Sequence, residues 1–373
     1  MNALPSPLIL IGVGGAGAAM TRGVLRAFGF GGGIRALILD SDAQSGGNGD
    51  IPFSLLGGNR LAGRGTGGQP ASARAAFQDD PSLLDPALTG VRTAVVVTAL
   101  GGGTGGGATG ELLEHLHTLG IATLLFATTP FAFEGDERIR VAKTAIGPIE
   151  QNADVSVFLP LDDLVAGAGS DNMKESLARA VDTLASGVTL LWRMLEKPGY
   201  IHLDAERLRN VISRCGRAQF STATATGPAR AEAVLASIAE HPLLRRDSSR
   251  PPVRTILVGV LAGDDLRLSE ITAITSGLTA AYGPNAAIEL GTVNDEATFS
   301  GRLSVVVLLF EESATRMPTT AAPAPNLNEG RAKVSERQAL SGNSRFRNAE
   351  KTMWNDEDLD VPTYIRHQMT LDR

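Results

Sequence analysis

The sequence predicts an α/β fold: a three-layer, Rossmann-like first domain, a long central helix, a second and smaller α+β domain, and a disordered C-terminal linker ending in a short peptide. Three observations predict it. Short apolar runs alternate with helical stretches over the first 160 residues or so, the signature of a parallel sheet covered on both faces. One stretch, 171–195, keeps apolar residues at three- and four-residue spacing throughout. Beyond residue 312 large apolar residues become sparse.

The elements follow in order. Leu8–Val13 reads as a buried strand, a glycine turn follows, and 16–28 forms a helix. A second strand at 34–39 leads into Asp40-Ser41-Asp42, then a glycine-rich irregular region through Gly68 and a helix near 71–78. Thr93–Ala99 is a strand that runs into Gly101-Gly102-Gly103-Thr104-Gly105-Gly106-Gly107. A helix with Leu112, Leu113, Leu116 and Leu119 on its apolar face comes next, then strand 123–127, helix 136–151 and strand 156–159. Met173, Leu177, Ala180, Leu184, Val188, Leu191 and Leu195 line the long helix, which Pro198-Gly199 ends. Asp204 is placed to cap the following helix. The second domain carries strands at 255–262 and 303–310 and helices near 229–240 and 268–281. The expected division is 1–170, 171–217, 218–312, a disordered linker 313–353 and a partner-binding peptide 354–373.

Composition narrows the function. The net charge of −6 argues against a nucleic-acid partner. The single cysteine, Cys215, forms neither an internal disulfide nor a metal cluster and fits a reducing, cytoplasmic setting. The N-terminal apolar stretch lacks the basic start of a signal peptide, and no apolar run approaches the roughly 20 residues of a membrane span. Direct membrane insertion is therefore not expected. Trp192 reads as core, His115 and His117 as solvated, and Arg245, Arg246 and Arg250 as an exposed loop cluster.

Glycine is the unusual residue, at 43, and it clusters at 12–17, 29–33, 46–49, 57–68 and 101–110. Gly12-Val13-Gly14-Gly15-Ala16-Gly17 fits the dinucleotide fingerprint, with Asp40 placed 23 residues beyond Gly17 where a ribose-binding acid would stand. An NAD- or FAD-dependent oxidoreductase is therefore the alternative reading. The second glycine run changes the balance. It follows another strand and opens another helix, so backbone N–H groups, a helix dipole and the Thr104 hydroxyl converge there. Two such loops suit a triphosphate gripped from two sides, whereas a dinucleotide needs one. No Lys-Ser or Lys-Thr follows the glycines, so this is not a Walker A loop.

At these residues the sequence resembles the FtsZ family, the bacterial relatives of tubulin, over nearly its whole length. Residues 101–107 are similar to the tubulin signature loop, and Gly14, Gly15, Ala16 and Gly17 to the family's first loop. Asp42 and Gln44 resemble its second loop, and Gly65, Thr66, Gly67 and Gly68 the loop near the γ-phosphate. Pro130, Glu134 and Arg138 resemble the ribose-contacting segment. Pro242-Leu243-Leu244 and 264–268 match landmarks of the second domain. Asp360, Val361, Pro362, Tyr364, Ile365 and Arg366 resemble the C-terminal peptide that docks on membrane-tethering division proteins. The resemblance implies a GTP/GDP-binding cytoskeletal protein, with Mg²⁺ as accompanying ion, that polymerises head to tail at the division site. A loop from the next subunit completes its hydrolytic site.

Departures from the family pattern imply weaker turnover. The loop after the long helix reads Pro198-Gly199-Tyr200-Ile201-His202-Leu203-Asp204-Ala205-Glu206-Arg207. Asp204 stands at the first acidic position, as the candidate catalytic acid. His202 replaces an Asn and Arg207 the second Asp, while Glu206 lies one residue off register, about 100° around a helix. Where the family reads guanine, the aligned positions are Leu177 and Val181, with Asp182 next as a candidate ligand. Leu161 stands for an Asn near the ribose, and Gly106 for a hydroxyl residue. The chain is thus expected to be a divergent member that binds GTP, hydrolyses it slowly, and assembles with itself or with a standard FtsZ.

Overall fold

The structure, a computed structural model, describes residues 7–28, 34–165, 172–196, 199–213, 216–244, 251–311, 353–354 and 357–358. In chain order the first domain contains β1 (Leu8–Val13), α1 (Gly14–Phe28), β2 (Ala36–Asp40), β3 (Phe53–Leu55), α2 (Gly58–Leu61), α3 (Pro70–Asp79), α4 (Asp85–Leu88), β4 (Thr93–Ala99), α5 (Gly103–Thr118), β5 (Ala122–Thr129), α6 (Asp136–Asn152), β6 (Val155–Pro160) and α7 (Leu161–Leu164). The central helix α8 (Met173–Glu196) and α9 (Ala205–Ile212) follow. The second domain holds β7 (Ala218–Thr226), α10 (Arg230–Glu240), β8 (Val253–Ala262), α11 (Leu268–Tyr282), β9 (Ala287–Asn294), α12 (Glu296–Phe299) and β10 (Arg302–Glu311).

The first sheet is parallel, in the order β3-β2-β1-β4-β5-β6. Alternate residues of each strand enter opposite layers, because side chains alternate across a sheet. Leu10, Val97 and Phe126 pack with Val24 of α1 and with Leu184, Val188 and Trp192 of α8. Ile9, Val96 and Leu125 pack on the other face with Phe77, Leu112, Leu116 and Ile149. Both layers are apolar and buried, which is why these strands read as continuous apolar runs. Each such buried side chain stabilises the fold by about 1.5–3 kcal/mol.

The second sheet runs β7-β10-β8-β9, antiparallel except for β8–β9. The central helix serves both sheets. Ala180, Leu184, Val188, Leu191 and Leu195 are buried as its spacing predicts, and Trp192 is 1% exposed. On the second-domain side Phe220 of β7 presses on Gly187, where an added Cβ would lie 1.9 Å from the ring. Phe220 also meets Phe126 of β5 edge to face at 5.1 Å. On the outer face of the second sheet, Val234, Ile238, Ile274 and Leu278 from α10 and α11 cover Ile256, Val258 and Val305.

Several expectations change. Residues 103–107 are the first turns of α5 rather than loop. Leu119 caps that helix and is 45% exposed, so it is not on the buried face. The glycine-rich region hides an edge strand, β3, and the second domain has two further strands, β7 and β9. His115 is part-buried rather than free in solvent: its Nε2 lies 2.7 Å from Asp85 Oδ1, with Phe77 edge-on to the ring. Cys215, Pro198, Arg245, Arg246 and Arg250 lie outside the described residues. The C-terminal unit, 319–373, contributes a two-stranded hairpin, β11 (Met353–Trp354) with β12 (Glu357–Asp358). Asp360, Val361, Pro362, Tyr364, Ile365 and Arg366, and nearly all of the expected linker, lie outside the described residues.

An ion cluster around the buried Arg230 ties α10 to the start of α11. Arg230, its side chain 5% exposed, donates through Nε and Nη2 to Glu270 at 2.6 and 3.0 Å and through Nη1 to Asp265 at 2.7 Å. Arg230 holds the Glu270 carboxyl below the ordinary glutamate value. That contribution is complete above the unfolded-state pKa and is lost as pH falls through the lowered folded value. Arg230→Met is therefore expected to destabilise the protein by about 1–3 kcal/mol at pH 7, because it leaves the part-buried Glu270 carboxylate without its partner. The deficit should shrink below about pH 4, as read by urea unfolding across pH.

Candidate phosphate site and acidic loop

The strand order reverses between β1 and β4: the chain runs outward from β1 to β2 and β3 on one side, and from β4 to β5 and β6 on the other. Ligands of open parallel sheets bind at the carboxyl ends of the strands at such a switch point. Here both bordering strands lead directly into helices that begin with glycine, α1 at Gly14 and α5 at Gly103. The two N-termini abut. A Cβ on Gly14 would sit 3.3 Å from the Gly105 nitrogen. Neither helix carries an acid in its first turn, and the N-cap of α5, Gly102, supplies no side chain. Their initial N–H groups and positive dipole ends are thus turned to one anion-binding point.

The sequence-predicted residues gather around that point. Gly15, Ala16 and Gly17 form the first turn of α1 after Gly14, and Gly17 lies so close to the Val97 carbonyl that a Cβ would approach it to 2.6 Å. Gly101 turns the chain with φ +96°, against Pro130 and the Arg138 backbone, before Gly102 and the α5 residues Gly103, Thr104, Gly105 and Gly106. Thr104 is 8% exposed, and its Oγ1 lies 2.7 Å from Ser41 Oγ, linking the start of α5 to the turn after β2. Asp42 caps the next turn by accepting from Gln44 N at 2.9 Å. Gly65 N donates to Ser41 O at 3.0 Å and Ala43 N to Gly63 O at 3.0 Å, so 63–65 is zipped to 41–43. A Cβ on Gly103 would meet the Thr66 hydroxyl at 1.9 Å, placing Thr66, with Gly67 and Gly68, directly over the α5 N-terminus. Glu134 and Arg138 form an ion pair, and Glu134 Oε1 accepts from Phe131 N at 2.9 Å.

Sequence reasoning missed Ser41, although its neighbours Asp40 and Asp42 marked the turn. It also gave Asp40 a ribose-binding alternative that the geometry does not support. Asp40 is 3% exposed, and its carboxylate accepts from Ser41 N and Ser45 Oγ. On the base side, Val181 packs towards Gly23 of α1, and Leu161 joins the core at the start of α7. Asp182 is exposed and lines a polar cavity with Glu175, Thr183, Ser186, Thr222 and His241. Burial lowers the His241 pKa, and Asp163 opposes that shift. The Leu177 side chain lies outside the described residues.

The acidic loop stands apart. Gly199 N donates to Thr292 O at 2.7 Å and Thr292 N to Ile201 O at 2.8 Å, docking the loop on the free edge of β9. Asp204 caps α9, accepting from Arg207 N at 2.6 Å, and is exposed. Arg207 forms a two-pronged pair with Glu289 of β9 at 2.7 and 3.2 Å, which raises its pKa further. Glu206 pairs with Arg92 at 2.8 Å. Arg92 immediately precedes β4, whereas Gly101 follows its other end. Seven strand residues separate the two positions by about 20 Å. Asp204 therefore cannot reach the phosphate site of its own chain.

A parallel sheet with paired glycine helix starts at its switch point defines a nucleotide-binding protein. The chain matches the family models for the Tubulin/FtsZ family, GTPase domain, over residues 7–168, and for the FtsZ family, C-terminal domain, over 216–311. It is 29% identical to the cell division protein FtsZ of Pseudomonas putida over 98% of this chain and 91% of that protein. With FtsZ of Pseudomonas aeruginosa the identity is 30%, over 90% and 83%. A solved FtsZ dimer of M. jannaschii superposes with a TM-score of 0.73 at 25% identity, covering 81% of this chain and 87% of that one. The chain belongs to the FtsZ family.

The Ser41–Thr104 link gives a direct check. Thr104→Val should cost about 1–3 kcal/mol by leaving the buried Ser41 hydroxyl unpaired. The double variant Ser41→Ala, Thr104→Val should cost less than the sum of the singles, measured as a double-mutant cycle in urea unfolding.

Proposed function

We propose that this chain is a GTP-binding cytoskeletal protein that assembles head to tail into filaments in bacterial cell division, and that it holds GTP more readily than it cleaves it. One observation carries the reading. The phosphate grip and Asp204 occupy opposite ends of the same sheet, so only a second copy stacked in the same sense brings Asp204 to a nucleotide. Contacts of that kind are heterologous and propagate into open filaments. The GTPase-domain match and the division proteins among its relatives support guanine nucleotide and division as the context.

The grip consists of the N–H groups of Gly14, Gly15, Gly103, Thr104 and Gly105, with Thr66 above them. Among the described residues no group of three His, Cys, Asp or Glu side chains could hold a metal. A magnesium ion accompanying the nucleotide would accordingly rest on phosphate oxygens and water, with one or two carboxylates at most. Hydrolysis of a phosphoanhydride is a matter of positioning water and balancing charge. Asp204 is engaged as a helix cap, Glu206 is held by Arg92, and Arg207 puts a cation beside them. That set supports slow turnover. Partners are further copies of this chain, a standard FtsZ, and membrane-tethering division proteins bound through 360–366. Among the described residues no helix is long and apolar enough to cross a membrane.

Purified protein incubated with GTP should sediment as polymer while releasing phosphate at least about tenfold more slowly than Pseudomonas putida FtsZ assayed alongside. Arg207→Asp should raise release toward that of the standard protein without loss of polymer. Equal rates for the unaltered chain would mean that Arg207 does not limit turnover. Absence of GTP-dependent polymer would refute the filament reading.

A further inference from the structure

The phosphate site is short of positive charge. The segments that form it, 12–17, 40–47, 63–70, 99–107 and 130–138, contain no lysine, and their arginines are Arg64 and Arg138. Asp40, Asp42 and Glu134 stand in the same segments. Arg138 is committed to Glu134, and Arg22, which reaches in from α1, donates to the Ser45 carbonyl. Arg64 differs. It is exposed, and its side chain has no ion-pair or hydrogen-bond partner among the described residues.

Its backbone is held in place. Arg64 bridges to Asp42 across the zipped loops, between Gly63 and Gly65, both at positive φ. Two residues on, the Thr66 hydroxyl lies against Gly103. Two residues span about 7 Å at most, so the Arg64 Cα is close enough for its side chain to reach an anion bound at the α5 N-terminus. A fixed base, a free guanidinium and a site with acids in excess suit a planar fork donating to phosphate oxygens.

Building on the nucleotide-binding reading above, we infer that Arg64 contacts the terminal phosphate of GTP bound in its own subunit and sets the preference for GTP over GDP. It is a binding residue, carried by the loop that lies against the α5 N-terminus at Gly103.

The test is equilibrium titration of the full chain with fluorescent methylanthraniloyl-GTP and methylanthraniloyl-GDP, comparing the unaltered protein with Arg64→Ala, Arg64→Lys and the distant control Arg302→Ala. Loss of one charge-assisted contact corresponds to about tenfold or more in affinity. Arg64→Ala should weaken GTP by that factor and GDP by less than about threefold, with Arg64→Lys between and Arg302→Ala unchanged. An Arg64→Ala protein that keeps its GTP affinity, or loses both nucleotides equally, would overturn the inference. If the unaltered protein binds neither nucleotide, the underlying reading fails, and this one with it.

Discussion

Two helix N-termini meet at the point where the sheet reverses direction, and the rest of the site depends on that meeting. It is possible only because the residues at the junction have no side chains. Gly14 abuts Gly105, Gly17 lies on the Val97 carbonyl, and a Cβ on Gly107 would come within 2.1 Å of the Pro70 carbonyl oxygen. Any larger residue at these places would push one helix off the sheet. The cost is the chain entropy of so many glycines, which the two buried apolar layers on either face of β1 and β4 offset. The buried Ser41–Thr104 contact then brings the 41–43 turn to the same point, and with it the loop that is zipped to it.

The second constraint is distance. The central helix carries the chain from the carboxyl-end side of the sheet to the opposite side, and the loop that follows is stitched to β9 at Thr292 and Glu289. Its acid therefore moves with the second domain, remote from the nucleotide of the same chain. Under the proposed function, the nucleotide grip and the acidic loop are divided between two ends of the molecule. Arg207 is paired with Glu289 at one end and touches nothing at the other, so a change there would leave the phosphate grip intact.

Much of this was legible in the sequence. The strands Leu8–Val13 and Thr93–Ala99, the cap at Asp204 and the buried face of the central helix follow from periodicity and turn chemistry. The paired glycine runs mark the two helix starts that meet at the switch point. The failures are local and have causes. A glycine-rich run looks like a loop, but the helix start after β4 uses those glycines for close packing. β3 has three residues, too few for a periodic signal, and it is a strand because β2 offers it an edge. Ser41 and His115 were missed because their roles come from partners 63 and 30 residues away. The engagement of Glu206 and Arg207 with Arg92 and Glu289 is likewise a tertiary fact.

Under the proposed function one copy grips the nucleotide and the next supplies Asp204. Electron cryomicroscopy of filaments assembled with a non-hydrolysable GTP analogue tests this arrangement. One nucleotide per subunit is expected at Gly14 and Gly103, with Asp204 and Arg207 of the adjacent copy facing its terminal phosphate. Filaments in which that loop faces solvent, or in which like ends meet in two-fold pairs, would contradict it.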